Sequence, residues 1–341
     1  MTALLARIIF SLLVFAFAAS VSCEEKTNTD ENDNELDYML QPYETEFFDF
    51  LDAPHEVISS GVEIAAQGLD LFFADENAFG EATGSYAKFS TTTVFSHGGE
   101  YSTTNDIRLK VDLKQTKKKL KLLLESDTDK GIQTGVKTTE TPGQEQNDKT
   151  SLFAALEKEI SKKEKWHTKA SLGIKLRVPL DPYLRIRANK NFRLGGANVR
   201  FTETIFWFNS KGAGASSLLE IDYSISKNLL FRSSTSELWT DFVDYHEDTQ
   251  TFSLYHELSD RRAVSYNAGI SAISEPTFRM TSYYTSMGYR QKIHREWLYV
   301  QITPALTFSV GNGYKVNRSL LISLEMVFGN KYVHRPPKDE D

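Results

Sequence analysis

The sequence predicts an all-β fold: a transmembrane, antiparallel, up-and-down β-barrel of about 14 strands (12 is the alternative count), preceded by a short N-terminal helix. Three observations predict it. Apolar and polar residues alternate with period two in segment after segment beyond Gly80. Most of these segments reach about ten residues, a length that crosses a bilayer at a tilt. The breaks between them alternate in length, as the turns at the two ends of membrane barrels do.

The N-terminus has the form of a secretory signal peptide, which we place at residues 1–22. Arg7 precedes an apolar stretch from Ile8 to Ala19, and small residues follow it. A retained anchor helix is the alternative. Cys23 closes the stretch ASVSC, which resembles the lipobox of bacterial lipoproteins, so it is a candidate lipidation site; ordinary cleavage is the alternative. Because Cys23 is the only cysteine, no intramolecular disulfide can form.

Two segments separate the predicted signal peptide from the barrel. Residues 23–53 are acidic and polar and predict a flexible linker. Residues 54–80 predict one amphipathic helix, because apolar residues recur at three- and four-residue steps, at Ile58, Val62, Ala65, Leu69 and Phe72. Four roles are open to this helix: covering one end of the barrel, plugging it, lying on the membrane, or binding a partner. We hypothesise a periplasmic partner that contacts residues 24–75.

Segments between residues 81 and 328 predict the barrel strands, each with one apolar and one polar face. In NDIRLKVDL (105–113), aliphatic residues alternate without interruption with Arg108, Lys110 and Asp112. A soluble sandwich or a lipocalin-like barrel would show the same alternation with its apolar face inside. Strand length, unequal breaks and aromatic residues near strand ends favour the membrane alternative. There the apolar face meets lipid and the charged face meets water inside a closed sheet.

Break lengths and aromatic positions predict the two ends of the barrel. Short breaks such as ISKN and SDRRA alternate with longer ones such as NSKGAGAS and TDFVDYHED. This asymmetry predicts short periplasmic turns and longer external loops. Aromatic residues near the predicted strand ends predict girdles at the two membrane interfaces, at Trp166, Phe206–Phe208, Trp239 and Trp297–Tyr299.

The chain resembles bacterial outer-membrane β-barrel proteins as a class. The resemblance covers the signal peptide and the region from about Gly80 to Phe328. The last segment, LLISLEMVF, is similar to the terminal strand that such proteins present to their assembly machinery, although residues 329–341 follow here as a polar tail. The resemblance implies a location in the bacterial outer membrane, contact with its lipid, and recognition by the barrel assembly machinery.

Charged residues on the polar face of the strands are the candidate lumen lining. They are Arg108, Lys110, Asp112, Lys169, Lys175, Arg177, Arg185, Arg187, Arg193, Glu220, Asp222, Glu257 and Glu325. One interpretation is a water-filled, porin-like channel for small polar solutes, whose charges select what passes. The other is mutual neutralisation, in which cross-strand ion pairs close a narrow barrel that has a structural or envelope-assembly role through its N-terminal helix.

Other chemistry receives little support from the sequence. The formal net charge of −7 argues against a nucleic-acid partner. An outer-membrane lipid hydrolase is the remaining alternative, since His246 and His256 stand near the acidic stretch DYHED. We expect His246 in a solvated loop and His256 on the apolar face of a strand. No catalytic residue, cofactor or metal site is predicted.

Overall fold

The computed structural model describes residues 48, 51–52, 55, 86–112, 120–127, 151–163 and 166–328. These contain fourteen antiparallel strands, each paired with its sequence neighbours, and β1 pairs with β14 to close the barrel. This confirms the predicted fold class and the higher strand count. The strands are β1 (Tyr86–Ser96), β2 (Tyr101–Asp112), β3 (Leu120–Asp127), β4 (Ser151–Lys163), β5 (Trp166–Lys175), β6 (Asp181–Leu194), β7 (Ala197–Phe208), β8 (Gly212–Ser226), β9 (Leu229–Thr240), β10 (Val243–Ser259), β11 (Arg262–Ile273), β12 (Arg279–His294), β13 (Leu298–Ser309) and β14 (Val316–Phe328).

The outer surface of the barrel is apolar and its interior is polar. On β5 and β6, Leu172 and Leu184 pair in register and are 65% and 42% exposed, whereas the neighbouring pair Ser171 and Arg185 is buried. The pattern continues around the barrel, with Ile205 on β7 63% exposed beside the fully buried Thr204. An apolar surface of this extent would cause aggregation in water but is the surface that lipid requires. The barrel is therefore of the membrane-spanning type.

The connections keep the predicted asymmetry, but two of the predicted long loops are wrong. The stretch TDFVDYHED belongs mostly to β9 and β10, which are joined by residues 241–242 alone. Most of NSKGAGAS lies in β8, and the connection there is 209–211. The polar residues of these stretches predicted loops, but the ends of barrel strands that reach into water can also contain polar residues. The start of β1, the end of β14 and the turn 295–297 lie together at one end of the barrel, which we name the terminal end.

Some of the aromatic residues assigned to membrane girdles are buried instead. Trp166, Trp207 and Trp239 are exposed, between 37% and 44%, as girdle residues should be. The sequence triplet 206–208 splits, however, because alternation turns its two Phe side chains to the other face, where they join a buried cluster. The triplet 297–299 is buried in a second cluster, at the terminal end. Proximity to a strand end could not distinguish the exposed aromatic residues of a girdle from those buried inside the barrel.

Aromatic rings of the interior lie over glycines of the adjacent strand. A Cβ built on Gly173 would stand 2.5 Å from a ring carbon of Tyr183 and 2.7 Å from the carbonyl oxygen of Ala154. Gly214 under Phe206 and Gly269 under Tyr284 repeat the arrangement. The missing side chain lets each ring lie against the wall instead of projecting into the barrel.

Gly173→Ala is expected to displace the Tyr183 ring and to destabilise the barrel by about 1–3 kcal/mol, the usual cost of overpacking. Urea unfolding of the detergent-solubilised protein measures the loss. Gly311→Ala is the matched control, because nothing lies within 4 Å of a Cβ placed there. Equal stability of the two variants would contradict the packing role of Gly173.

Several predicted segments lie outside the described residues. These are the signal peptide with Cys23, most of the linker and of the amphipathic helix, and the C-terminal tail. Within the described part of the chain, no helix combines the length and the apolarity needed to cross a membrane.

Candidate functional site

Charged side chains enclosed by the barrel form three groups. The basic wall lies on β2–β6 and comprises Arg108, Lys110, Glu125, Glu157, Lys169, Arg185 and Arg187. The paired wall lies on β7–β9 and comprises Arg200, Glu220, Asp222 and Arg232. The seam group joins β12 and β14 to β1 and comprises Arg290, Glu325 and Lys88. Most of the predicted lumen residues fall in these groups.

The basic wall contains five cations and two carboxylates. The Glu125 carboxylate is shared, with its oxygens 3.6 Å from Arg108 Nε and 3.8 Å from Arg185 Nη2. Glu157 is buried, and its Oε1 lies 3.7 Å from Lys169 Nζ. The wall therefore carries more cations than carboxylates, so positive charge is in excess on this side of the interior.

The other two cations of the basic wall are Lys110 on β2 and Arg187 on β6. Lys110 is 2% exposed, and its ammonium group lies 5.7 Å from the centre of the Tyr86 ring, within cation–π range. Arg187 lies between Lys169 on β5 and Thr204 on β7 in the strand register.

The paired wall is balanced, with two arginines and two carboxylates. Arg232 donates to both oxygens of Asp222, from Nε at 2.6 Å and from Nη2 at 2.8 Å. Arg200 Nη1 lies 3.4 Å from Glu220, whose other oxygen is 4.0 Å from Arg232. This bidentate, cross-strand arrangement fixes the side chains against the wall.

The seam group links the first strand, β1, to β14 and β12 through ion pairs. Glu325 on β14 accepts from Lys88 on β1 at 2.7 Å and also pairs with Arg290 on β12. Glu325 and Arg290 are both buried. The guanidinium of Arg290 stacks 4.3 Å from the centre of the Tyr299 ring. One carboxylate therefore holds two cations across the closing strand pair.

The remaining predicted residues are scattered. Lys175 is buried over the Phe153 ring, and Arg193 Nε donates to Asn198. Asp112 ends β2 and Glu257 lies in β10, half-buried. The strand position predicted for Arg177 is wrong, because β5 ends at Lys175 and Arg177 lies in the connection 176–180. There it pairs with Asp181 at 3.0 Å.

Sequence reasoning missed several members of the groups, namely Lys88, Glu125, Glu157, Arg200, Arg232 and Arg290. All lie in segments already predicted as strands, on the face opposite to the aliphatic residues. Applying the period-two rule to every strand, rather than to the clearest ones, would have found them.

A short piece of the N-terminal region contacts the terminal end of the barrel, and we name it the mouth contact. Asp52 accepts from His294 Nε2 at 3.0 Å and pairs with Arg295 at 2.6 Å. His55 is buried, donates from Nε2 to the Val327 carbonyl at 2.9 Å, and stacks on Trp297 at 4.2 Å between ring centres. Phe48 and Leu51 pack against the same cluster.

The histidines proposed for a hydrolase lie on the outside of β10. His246 is in the strand, not in a loop as predicted, and its Nδ1 donates to Glu237 Oε1 at 2.7 Å. His256 pairs in register with Val264, on the apolar face as predicted. Among the described residues, no group of three or more His, Cys, Asp and Glu could hold a metal ion.

Apolar side chains outside and charged side chains inside a closed, antiparallel 14-stranded sheet decide the class. The chain has the fold of an outer-membrane β-barrel protein. No protein-family model matches it, and no curated protein matches its sequence. Solved structures similar to the barrel include OprB of Pseudomonas putida in its low-pH form, with 10% identity, a TM-score of 0.43, and coverage of 77% of this chain and 100% of that chain. The outer membrane channel DcaP of Acinetobacter baumannii has 8% identity, a TM-score of 0.41, and coverage of 72% and 96%.

Proposed function

We propose that the chain is a porin-like channel of the bacterial outer membrane for small polar solutes. The observation that carries this proposal is the partial exposure of the charged interior. Side chains of Lys169, Arg200 and Asp222 remain 24%, 18% and 20% exposed although the barrel encloses them. Ionised groups in such a position need water, and a water-filled interior that joins both ends is a channel.

A barrel of fourteen strands is wide enough to leave space for a solute in its interior. With strands about 4.8 Å apart and a tilt of about 40°, fourteen strands give a backbone diameter of about 28 Å, against about 16 Å for eight strands. Eight-stranded barrels are filled by their own side chains. Rings that lie flat over Gly173, Gly214 and Gly269 narrow the interior less than projecting rings would.

We place the terminal end in the periplasm and the apolar surface in outer-membrane lipid. The short turns 195–196, 227–228 and 260–261 share the terminal end, as periplasmic turns do in this class. On β14, Leu320 and Ile322 are exposed on the lipid side. We propose that β14 is the segment that the barrel assembly machinery recognises.

Purified, folded protein in planar bilayers tests the channel. We expect stepwise current well above the background of the bilayer, from protein that migrates as a folded, heat-modifiable band in gels. A folded band that gives no current would contradict the channel. A protein recovered in the soluble periplasmic fraction would contradict the membrane location as well.

The mouth contact favours a second candidate, a closed barrel with a role in envelope assembly. Asp52 and His55 contact the terminal end, the side on which we place the periplasm. The His55→Ala variant distinguishes the two. A channel obstructed at its mouth should gain conductance in this variant, whereas a barrel closed along its length should stay silent.

A further inference from the structure

Arg187 is the one cation of the basic wall whose guanidinium has no acidic partner among the described residues. Its Nε is buried without a hydrogen-bond partner. The charges of Arg185, Glu157, Glu125 and Arg108 all act on it. Both of these carboxylates are already engaged, by the Arg108–Arg185 pair and by Lys169.

The two residues paired with Arg187 in the strand register carry no negative charge. Lys169 is its register partner on β5, and Thr204 is its partner on β7. Within the described part of the chain the Thr204 hydroxyl has no hydrogen-bond partner, so it does not accept from the guanidinium. Arg185 follows on the same face of β6 and is buried. Lys169, Arg185 and Arg187 thus adjoin on two neighbouring strands, and the Nε of Arg187 has no hydrogen-bond partner among the described residues.

We propose that Arg187, with Lys169 and Arg185, binds the oxyanion group of a permeating solute, such as a carboxylate or a phosphate. A guanidinium matches the two oxygens of such a group with a fork of parallel N–H donors. The flanking cations add attraction inside a space where the wall limits screening by water. The physiological role of this site rests on the proposed channel. In that channel, the site would make anionic solutes the preferred class.

Two measurements on the full-length protein test the site, with inorganic phosphate as the probe. In planar bilayers containing potassium chloride, phosphate should reduce the chloride current in a saturable manner. Thermal unfolding of the protein in detergent should shift to higher temperature as phosphate is added. In Arg187→Gln, the phosphate concentration that gives half of either effect should rise about tenfold or more, the loss expected for a charge-assisted hydrogen bond.

Arg187→Lys keeps the charge but not the fork of donors. Its half-effect phosphate concentration should lie between those of the unmodified protein and Arg187→Gln. Arg318→Gln is the control, because it removes one positive charge from an exposed position of β14 and should leave the response to phosphate unchanged. Thermal stabilisation without current would retain the site and contradict the channel. Current without either phosphate effect, or an Arg187→Gln variant that responds like the unmodified protein, would overturn the site and leave the channel standing.

Discussion

Glu325→Ala is expected to destabilise the folded barrel by about 3–5 kcal/mol, the usual cost of leaving buried charge without its partner. Glu325 is 6% exposed and Arg290 is 3% exposed, and Lys88 donates to the same carboxylate at 2.7 Å. Removing the carboxylate leaves two cations enclosed beside the strand pair that closes the barrel. Because β1 and β14 are far apart in sequence, this pair depends on contacts across the seam.

Urea unfolding in detergent, followed by the loss of the heat-modifiable band, measures this effect. Glu257→Ala is the matched control, since Glu257 is half-buried in β10 and outside the three charge groups. Glu325→Gln separates charge from volume and should lose nearly as much stability as Glu325→Ala. A double variant, Glu325→Met with Arg290→Met, should recover part of the loss, because apolar replacements remove most of the uncompensated charge. Equal stability of Glu325→Ala and Glu257→Ala would contradict the role of the seam.

The fold followed from the sequence because a membrane barrel repeats one physical demand in every strand. Lipid outside and water inside impose the same period-two pattern fourteen times, so an error in one segment does not change the class. Turn positions were less predictable. In β10, Tyr245 and His246 read as loop residues, yet their backbone continues the sheet beyond a bulge.

The charge groups could be predicted only as a set of residues, not as pairs. Strand alternation places Arg185 and Glu125 on the same face of the sheet, but their 3.8 Å approach crosses strands that are not neighbours. Such diagonal pairs depend on the tilt and register of the closed sheet, which no local pattern specifies. For the same reason the sequence could not show that Glu125 and Glu157 leave Arg187 unpaired.

The mouth contact could not be predicted from local sequence, for a different reason. Asp52 fell in a segment whose acidic composition predicts a linker, and its partner Arg295 lies in a turn far along the chain. His294 is fully buried, and its ring is tied to the same carboxylate. Composition describes the average character of a segment and does not show which single side chain, here Asp52, contacts the barrel.

Trp297→Ala is expected to cost about 3–5 kcal/mol of barrel stability, as buried Trp-to-Ala changes do, and to break the mouth contact. The Trp297 side chain is 1% exposed at the centre of a cluster with Tyr86 and Val327. His55 stacks on its ring at 4.2 Å, and Leu51 packs on the same cluster. Urea unfolding measures the first effect, and limited proteolysis near residue 55 measures the second.

Trp239→Ala is the matched control, because its ring is 38% exposed on the outer surface and should matter less to both measurements. His55→Ala should expose the N-terminal region to protease while leaving most of the barrel stability intact, since Trp297 keeps its cluster. If Trp297→Ala weakened the barrel but left the region as protected as in the unmodified protein, the stacked His55 ring would not be what holds it. Protection would then rest on Asp52 and its two basic partners, and Asp52→Asn should remove it.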